Sequence, residues 1–322
     1  MSNTKKTIGS LDNLNASILT TVTPEYNQFK KVQKSNLGSV RFDASKNMIK
    51  PEYLTIDGVK VRYAEGGKKD GAVVLLLNPL PHSIICFNPI WEKLGKHFRL
   101  VALDLPGFGQ SEGGLEFMNF EAQGIFLDKF IRTLDLKKIH IVGPDIGMGA
   151  ALNYAIHFKH DIASLIIGDG PGIAPSINGS IINKMVDSSF WRFVFSIVGS
   201  GPFVEGAYRL GCVSYIPNAV EIDDYLTSYE GRVGTITHWF ATYPQSLATV
   251  DPHLAKLDLP VQIFWGDLDI FLLVDNAHSL HKRLKRSQLK IFEQCGHFSY
   301  QDQADEFAEM VINWVNGGFR VV

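Results

Sequence analysis

A chain of 322 residues that is 45% hydrophobic and 20% charged, with a formal net charge of -2, has the make-up of an ordinary globular protein with room for one large α/β domain and an inserted lobe. The near balance of charge offers no basic surface to nucleic acid, and no uncharged apolar run reaches the roughly 18 residues that span a bilayer. The opening Met1-Ser-Asn-Thr-Lys-Lys has no signal-type apolar stretch, so a cytoplasmic protein without a membrane partner is expected.

Residues 1–50, rich in Asn, Ser, Thr and Lys and without a sustained period, read as an N-terminal arm that wraps the surface or is partly mobile and carries little chemistry. From residue 51 the pattern changes. Tyr53 to Tyr63 is two alternating runs about Asp57-Gly58, a hairpin signal, and Ala72 to Leu77 is a continuous apolar run of the kind buried on both faces of a sheet. That run ends in Asn78-Pro79-Leu80-Pro81. Phe98 to Leu103 is the next strand, closed by the turn-rich Asp104-Leu-Pro-Gly-Phe-Gly-Gln-Ser111, where Gly107 and Gly109 alone are weak evidence for a phosphate loop. Phe120, Ile125, Phe126, Phe130 and Ile131 give a helical stripe that would cover the sheet.

Lys138 to Leu152 then reads as strand, very tight turn and helix, with Asp145 at the apex of Gly143-Pro-Asp145-Ile-Gly147-Met-Gly149. Small residues on both sides suit an apex backbone strained toward positive φ where strand and helix pass close together. A carboxylate there is a poor agent for cleaving carboxylic esters, because the tetrahedral adduct would expel it again. It can displace a leaving group at a saturated carbon, and water can then hydrolyse the alkyl ester at the Asp carbonyl. The plain alternative is that Asp145 caps the following helix.

After the strand Ser164 to Gly168 the alternation of strand and helix stops. Residues 175–248 carry aromatic, helix-like patches and read as a mostly helical lid inserted between a first core segment, 51–174, and a second, 249–322. Strands resume with Pro260 to Gly266, leading to Asp267-Leu-Asp269, and Leu289 to Glu293, leading to Gly296-His297-Phe298; Phe307 to Val315 closes the chain as an amphipathic helix. Cys86, Cys212 and Cys295 are too few and scattered for a disulfide framework or metal site and read as small buried hydrophobes, although Cys295 stands two residues before a histidine.

Three strand-end groups thus fall in the order Asp145, Asp269, His297. With its elbow, Trp-Gly-x-x-Asp and Gly-His-Phe, the chain resembles the α/β-hydrolase superfamily over about residues 50–320. The aspartate at the elbow resembles the branch that holds epoxide hydrolases, haloalkane dehalogenases and haloacetate dehalogenases. The resemblance implies an α/β-hydrolase fold, a mostly parallel central sheet covered by helices with an inserted helical cap. It implies Asp145 as nucleophile, His297 as the base that activates water, and Asp269, preferred over Asp267, as the acid that orients and charge-stabilises the imidazole. By position, the N–H groups of Leu80 and Ile146 would form the oxyanion hole.

The departures matter too. Family members have His-Gly-x-Pro where this chain has Asn78-Pro79-Leu80-Pro81, and Ile146 and Leu80 stand where dehalogenases hold halide with Trp and Asn; Asn78, Trp191 or Trp239 could substitute. Of the two lid tyrosines common in epoxide hydrolases, Tyr215 resembles the first. The second falls at His238-Trp239-Phe240, where His238 would donate instead, with Tyr225, Tyr229 and Tyr243 as competitors. The expectation is a hydrolase without metal or cofactor that acts with water on a small apolar organic substrate, opening an epoxide to a diol. Haloacid or haloalkane dehalogenation is the runner-up, and a ligand-binding protein, lyase or cyclase on the same fold is the alternative of another class. A homodimer is compatible with all three.

Overall fold

The computed structural model describes residues 5–44, 48–158 and 161–322. In chain order its regular elements are α1 (Ser10–Thr21), α2 (Tyr26–Asn36), β1 (Glu52–Ile56), β2 (Val59–Gly67), β3 (Val73–Leu77), α3 (Asn88–Gly95), β4 (Arg99–Leu103), α4 (Phe120–Thr133), β5 (Ile139–Pro144), α5 (Ile146–His157) and β6 (Ile162–Gly168). There follow α6 (Ser180–Asp187), α7 (Ser189–Val198), α8 (Ser200–Gly211), α9 (Ala219–Tyr229) and α10 (Val233–Ser246), then β7 (Val261–Gly266), α11 (Asp275–Arg283), β8 (Ser287–Phe292), α12 (Ser299–Asp302) and α13 (Ala304–Val315).

The eight strands form one sheet in the order β1-β2-β4-β3-β5-β6-β7-β8. The β1–β2 hairpin turns at Asp57-Gly58, both at positive φ, and β2 is antiparallel to β4; the remaining pairs are parallel. The continuous apolar runs are the inner strands: every residue of β5 and β7 is buried, as parallel strands covered on both faces require. Helix α4 begins where the Asn119 side chain accepts the N–H of Ala122 at 2.8 Å, and it lies against α5. Their close approach depends on Gly149, since a Cβ there would come within 2.4 Å of the Phe120 ring. Because β3, β5, β6 and β7 run parallel, their carboxyl ends bring Asn78, Asp145, Asp169 and Asp267 to one edge of the sheet.

The N-terminal segment, read from the sequence as an arm that wraps the surface or is partly mobile, is more regular than that reading gave it. It forms α1 and α2, with Ala16 and Phe29 fully buried. Its polar residues hid this, because several of them do the docking. Gln33 Nε2 donates to the carbonyls of Cys212 (2.6 Å) and Arg209 (3.0 Å), and the Arg209 guanidinium reaches back to Ser17 Oγ and Asn13 Oδ1 at 2.7 Å each. Phe29 completes a small core with Leu210, Val213 and Ile270. Phe29→Ala should therefore cost about 3 kcal/mol, the usual range for emptying a buried phenylalanine site. A lowered urea midpoint and faster proteolysis between residues 5 and 44 would show it; an unchanged midpoint would mean the arm contributes nothing to the fold.

Candidate active site

Asp145 lies between β5 and α5 with φ 50° and ψ -120°, a strained conformation for a residue with a Cβ. The turn is locked from several sides: Asp145 N–H donates to Gly168 O at 3.0 Å, and its carbonyl accepts Met148 N–H at 3.0 Å. Gly143 is required by the crossing, since a Cβ there would come within 2.6 Å of Gly147 O. The carboxylate does not cap α5, for no helix N–H bonds it. It turns toward the β3 loop instead, where Oδ2 accepts the Leu80 N–H at 2.6 Å, while Oδ1 stands 3.8 Å from His297 Nε2. Ile146 is the first residue of α5, so its N–H belongs to the group at a helix start that has no intrahelical acceptor.

His297 Nδ1 is 2.8 Å from Asp269 Oδ2, and Asp269 Oδ1 accepts the N–H groups of Phe271 (2.8 Å) and Leu272 (3.1 Å). Asp145, His297 and Asp269 thus converge. Asp267 does not join them; its exposed carboxylate accepts the Cys295 N–H at 3.0 Å and fixes the turn before His297. Cys295 is buried, which pushes its thiol well above its ordinary pKa, so it is no thiolate. Burial by itself would lower the His297 pKa. The Asp269 charge, its hydrogen bond and the Asp145 carboxylate outweigh burial and hold it well above 6.5.

A cavity of about 90 Å³ sits over Asp145 and His297. Its wall is apolar, including Leu80, Ile181, Phe195, Phe203 and Phe271, and among the described residues the lining side chains with a nitrogen or oxygen are Asp145, His297, Tyr243 and Trp239. Tyr243 OH donates to Asn178 Oδ1 at 3.0 Å. Trp239 packs against Phe108 and Phe120, with ring centroids 5.4 Å away in each case.

Two sequence assignments fail here. Tyr215 does not wall the cavity: its buried hydroxyl bonds both oxygens of Glu221 (2.6 and 2.8 Å), the residue that closes the capping box of α9. His238 is exposed, because one residue of helix turns it about 100° away from Trp239. Tyr225 and Tyr229 are also elsewhere, Tyr225 against His82 and Tyr229 donating to the His82 carbonyl at 2.7 Å. Asn78 does not line the cavity either; its Oδ1 holds Leu105 N–H at 2.7 Å.

Sequence reading also missed the supports of the Leu80 loop. Buried Asp104 accepts Ile84 N–H at 2.7 Å, and Ser83 Oγ donates to Asp224 of α9 at 2.5 Å. Arg62 binds Asp224 through both terminal nitrogens (3.0 and 2.6 Å) and lies 3.6 Å from Asp104. Burial pushes the Asp104 pKa up to about 7 against the pull of Arg62. Asp169, buried behind the triad, accepts Gly266 N–H (3.0 Å) and Ser299 Oγ–H (2.6 Å), and burial and the Asp269 charge push its pKa up. Its position in Gly168-Asp-Gly170 after a strand was the available signal.

Residues 72–304 match the model of the alpha/beta hydrolase fold family, and the chain belongs to that family. A monoacylglycerol lipase of Bos taurus is 25% identical over 248 residues, 73% of each chain. The haloalkane dehalogenase DbeA from Bradyrhizobium elkani superposes with a TM-score of 0.72 at 20% identity, over 85% of this chain and 99% of that one. The epoxide hydrolase CorEH gives 0.70 at 19% identity, over 82% and 98%. Three chemistries share the scaffold, so likeness fixes a hydrolase fold and leaves the reaction to the site.

The charges around His297 make a prediction. Since its folded pKa lies above the unfolded value near 6.5, the stability it contributes is fully present below about 6.5 and is lost as pH rises through the folded value. An NMR titration should find His297 still protonated above pH 6.5 and, in Asp269→Asn, titrating lower. Titration below 6.5 in the unaltered protein would contradict the arrangement.

Proposed function

We propose that the chain is a cofactor-independent hydrolase in which Asp145 attacks a saturated carbon, and that its substrate is a compact apolar epoxide opened to a diol. The observation that carries this reading is the division of labour within one carboxylate. Oδ2 is held by the Leu80 N–H, while Oδ1 faces His297 and a cavity with a mostly apolar wall.

In the first step Oδ1 forms a bond to an epoxide carbon as its C–O bond breaks, and the released oxygen takes a proton from Tyr243. Tyr243 replaces Tyr215 and His238 as the donor because it is the phenol that lines the cavity. The Asn178 amide oxygen that holds its proton is a weak enough acceptor to give it up to an alkoxide. Esterification removes the negative charge of Asp145 and one of the influences holding the His297 proton. His297 thus becomes a better base at the moment water must be activated. His297 then gives its Nε2 proton to the Tyr243 phenolate, and in the second step the freed Nε2 takes a proton from water as its oxygen attacks the Asp145 carbonyl carbon. Charge develops on Oδ2, where the N–H groups of Leu80 and Ile146 receive it; collapse expels the diol alkoxide, which takes the proton from His297, and the Asp145 carboxylic acid left behind gives its proton to His297, restoring the starting pair.

Cleavage of carboxylic esters, as the name of the lipase relative describes, is disfavoured by the same nucleophile, since the adduct returns to ester and carboxylate. Dehalogenation stays a second reading on one observation: the Trp239 indole stands in the cavity wall, where its N–H could receive a halide.

His297→Gln should complete the first step and stall before the second. Incubated with small apolar epoxides and, separately, haloalkanes and haloacetates, it should gain the full mass of one epoxide on the peptide carrying Asp145. Adding Tyr243→Phe should slow that gain on the order of a hundredfold. A gain from the halides alone, with halide release, selects dehalogenation. No gain with any of them, together with binding of apolar ligands, replaces the enzyme by a ligand-binding protein.

A further inference from the structure

Helix α1 packs along α8, and α7 runs into α8 through Gly199. Both neighbours turn an apolar stripe outward: Leu11, Leu14 and Ile18 on α1, and Phe190, Phe193 and Ile197 on α7. Each set recurs at i, i+3 and i+7, and all six side chains are between 54% and 69% exposed. The other exposed positions on the two helices are Ser10, Thr21 and Ser189, so neither outward face carries a charge. Asp12 is turned back onto Gly9 N–H, and Arg192 onto the carbonyls of Met185 and Val186. The inner sides of the same helices reach the substrate cavity through Leu19 and Phe195.

The segments that carry these stripes are basic although the chain is not, with Lys6 paired to Glu230 and the other N-terminal lysines left free of carboxylates among the described residues. Residues 5–36 and 180–198 hold seven basic and three acidic residues, in a protein of net charge -2. Glu25 is engaged by Ser180 N–H and Oγ–H at 2.9 and 2.6 Å, whereas Lys5, Lys30, Lys31 and Lys34 are exposed.

We propose that this face rests on an anionic lipid surface. The stripes of α1 and α7 sink to the boundary of headgroups and acyl chains, the lysines meet lipid phosphates, and an apolar substrate dissolved in the lipid enters between the helices. Among the described residues no helix is long and apolar enough to cross a membrane, the ground on which no membrane partner was expected, but a helix lying on the surface needs no spanning segment. A second copy of the chain fits less well, since a two-fold contact on this face would set like-charged lysines against one another. The contact does not depend on the chemistry of Asp145.

Sedimentation of the full chain with vesicles of phosphatidylcholine, with and without phosphatidylglycerol, tests the proposal. The protein should partition onto the anionic vesicles about tenfold or more above the neutral ones. Leu14→Glu with Phe193→Glu should return it to background, and Lys30→Glu with Lys31→Glu and Lys34→Glu should remove the preference for phosphatidylglycerol, both variants unfolding thermally as the parent does. No partitioning, partitioning unchanged in the variants, or equal partitioning onto both vesicles would overturn the proposal. So would a parent dimer that the Leu14→Glu, Phe193→Glu pair dissociates without any vesicle binding, which would make the face a self-interface.

Discussion

The hydrogen bond from Leu80 N–H to Asp145 Oδ2, 2.6 Å long, is the contact on which the site depends. It joins the end of β3 to the turn after β5, and it forms only because Asp145 is held at φ 50° with its side chain aimed away from its own helix. Such a conformation costs on the order of 1–3 kcal/mol, which surrounding structure must offset. The offset is visible in the parallel pairing of β5 with β3 and β6, in the buried length of α5, and in glycines that let backbones pass at distances no Cβ allows.

From that contact the electrostatics follow. One carboxylate oxygen is committed to the Leu80 backbone N–H and the other is left to a histidine whose far side is fixed by Asp269. The histidine is strongly basic while Asp145 is charged and less so once that charge is lost. The proposed two-step reaction would benefit from this ordering, because the covalent step would free the base that has to act after it. The Leu80 loop is braced separately by Asp104 and by Ser83 bonded to Asp224, so a helix of the segment between β6 and β7 is tied to the loop that holds Asp145. Arg62 lies between the two carboxylates and keeps the cluster from being a pair of bare buried charges.

Much of this was legible in the sequence, for identifiable reasons. Apolar runs such as Ala72 to Leu77 and Val261 to Gly266 can only be inner strands, and a carboxylate or histidine directly after such a strand has its position set by local geometry. Asp145, Asp269 and His297 were therefore readable. Residues of the segment between β6 and β7 were not, because which side of a helix faces the cavity depends on packing: of the adjacent His238 and Trp239 one is exposed and the other buried, and Tyr215 is claimed by Glu221 six residues on. Tyr243 could be named as a competitor but not ranked. The N-terminal helices escaped notice because Gln33 and Arg209 dock them through polar contacts 176 and more residues apart in sequence, which no local pattern records.

The central claim is that Asp145 bonds to substrate instead of activating water. The most direct test is a single turnover of the unaltered protein, in excess over an accepted epoxide, in water enriched in heavy oxygen. If water attacks the ester at the Asp145 carbonyl, the label should appear in the Asp145 carboxylate and the first diol should be unlabelled. Label in that first diol, with an unlabelled Asp145, would contradict the account and leave Asp145 as a general base.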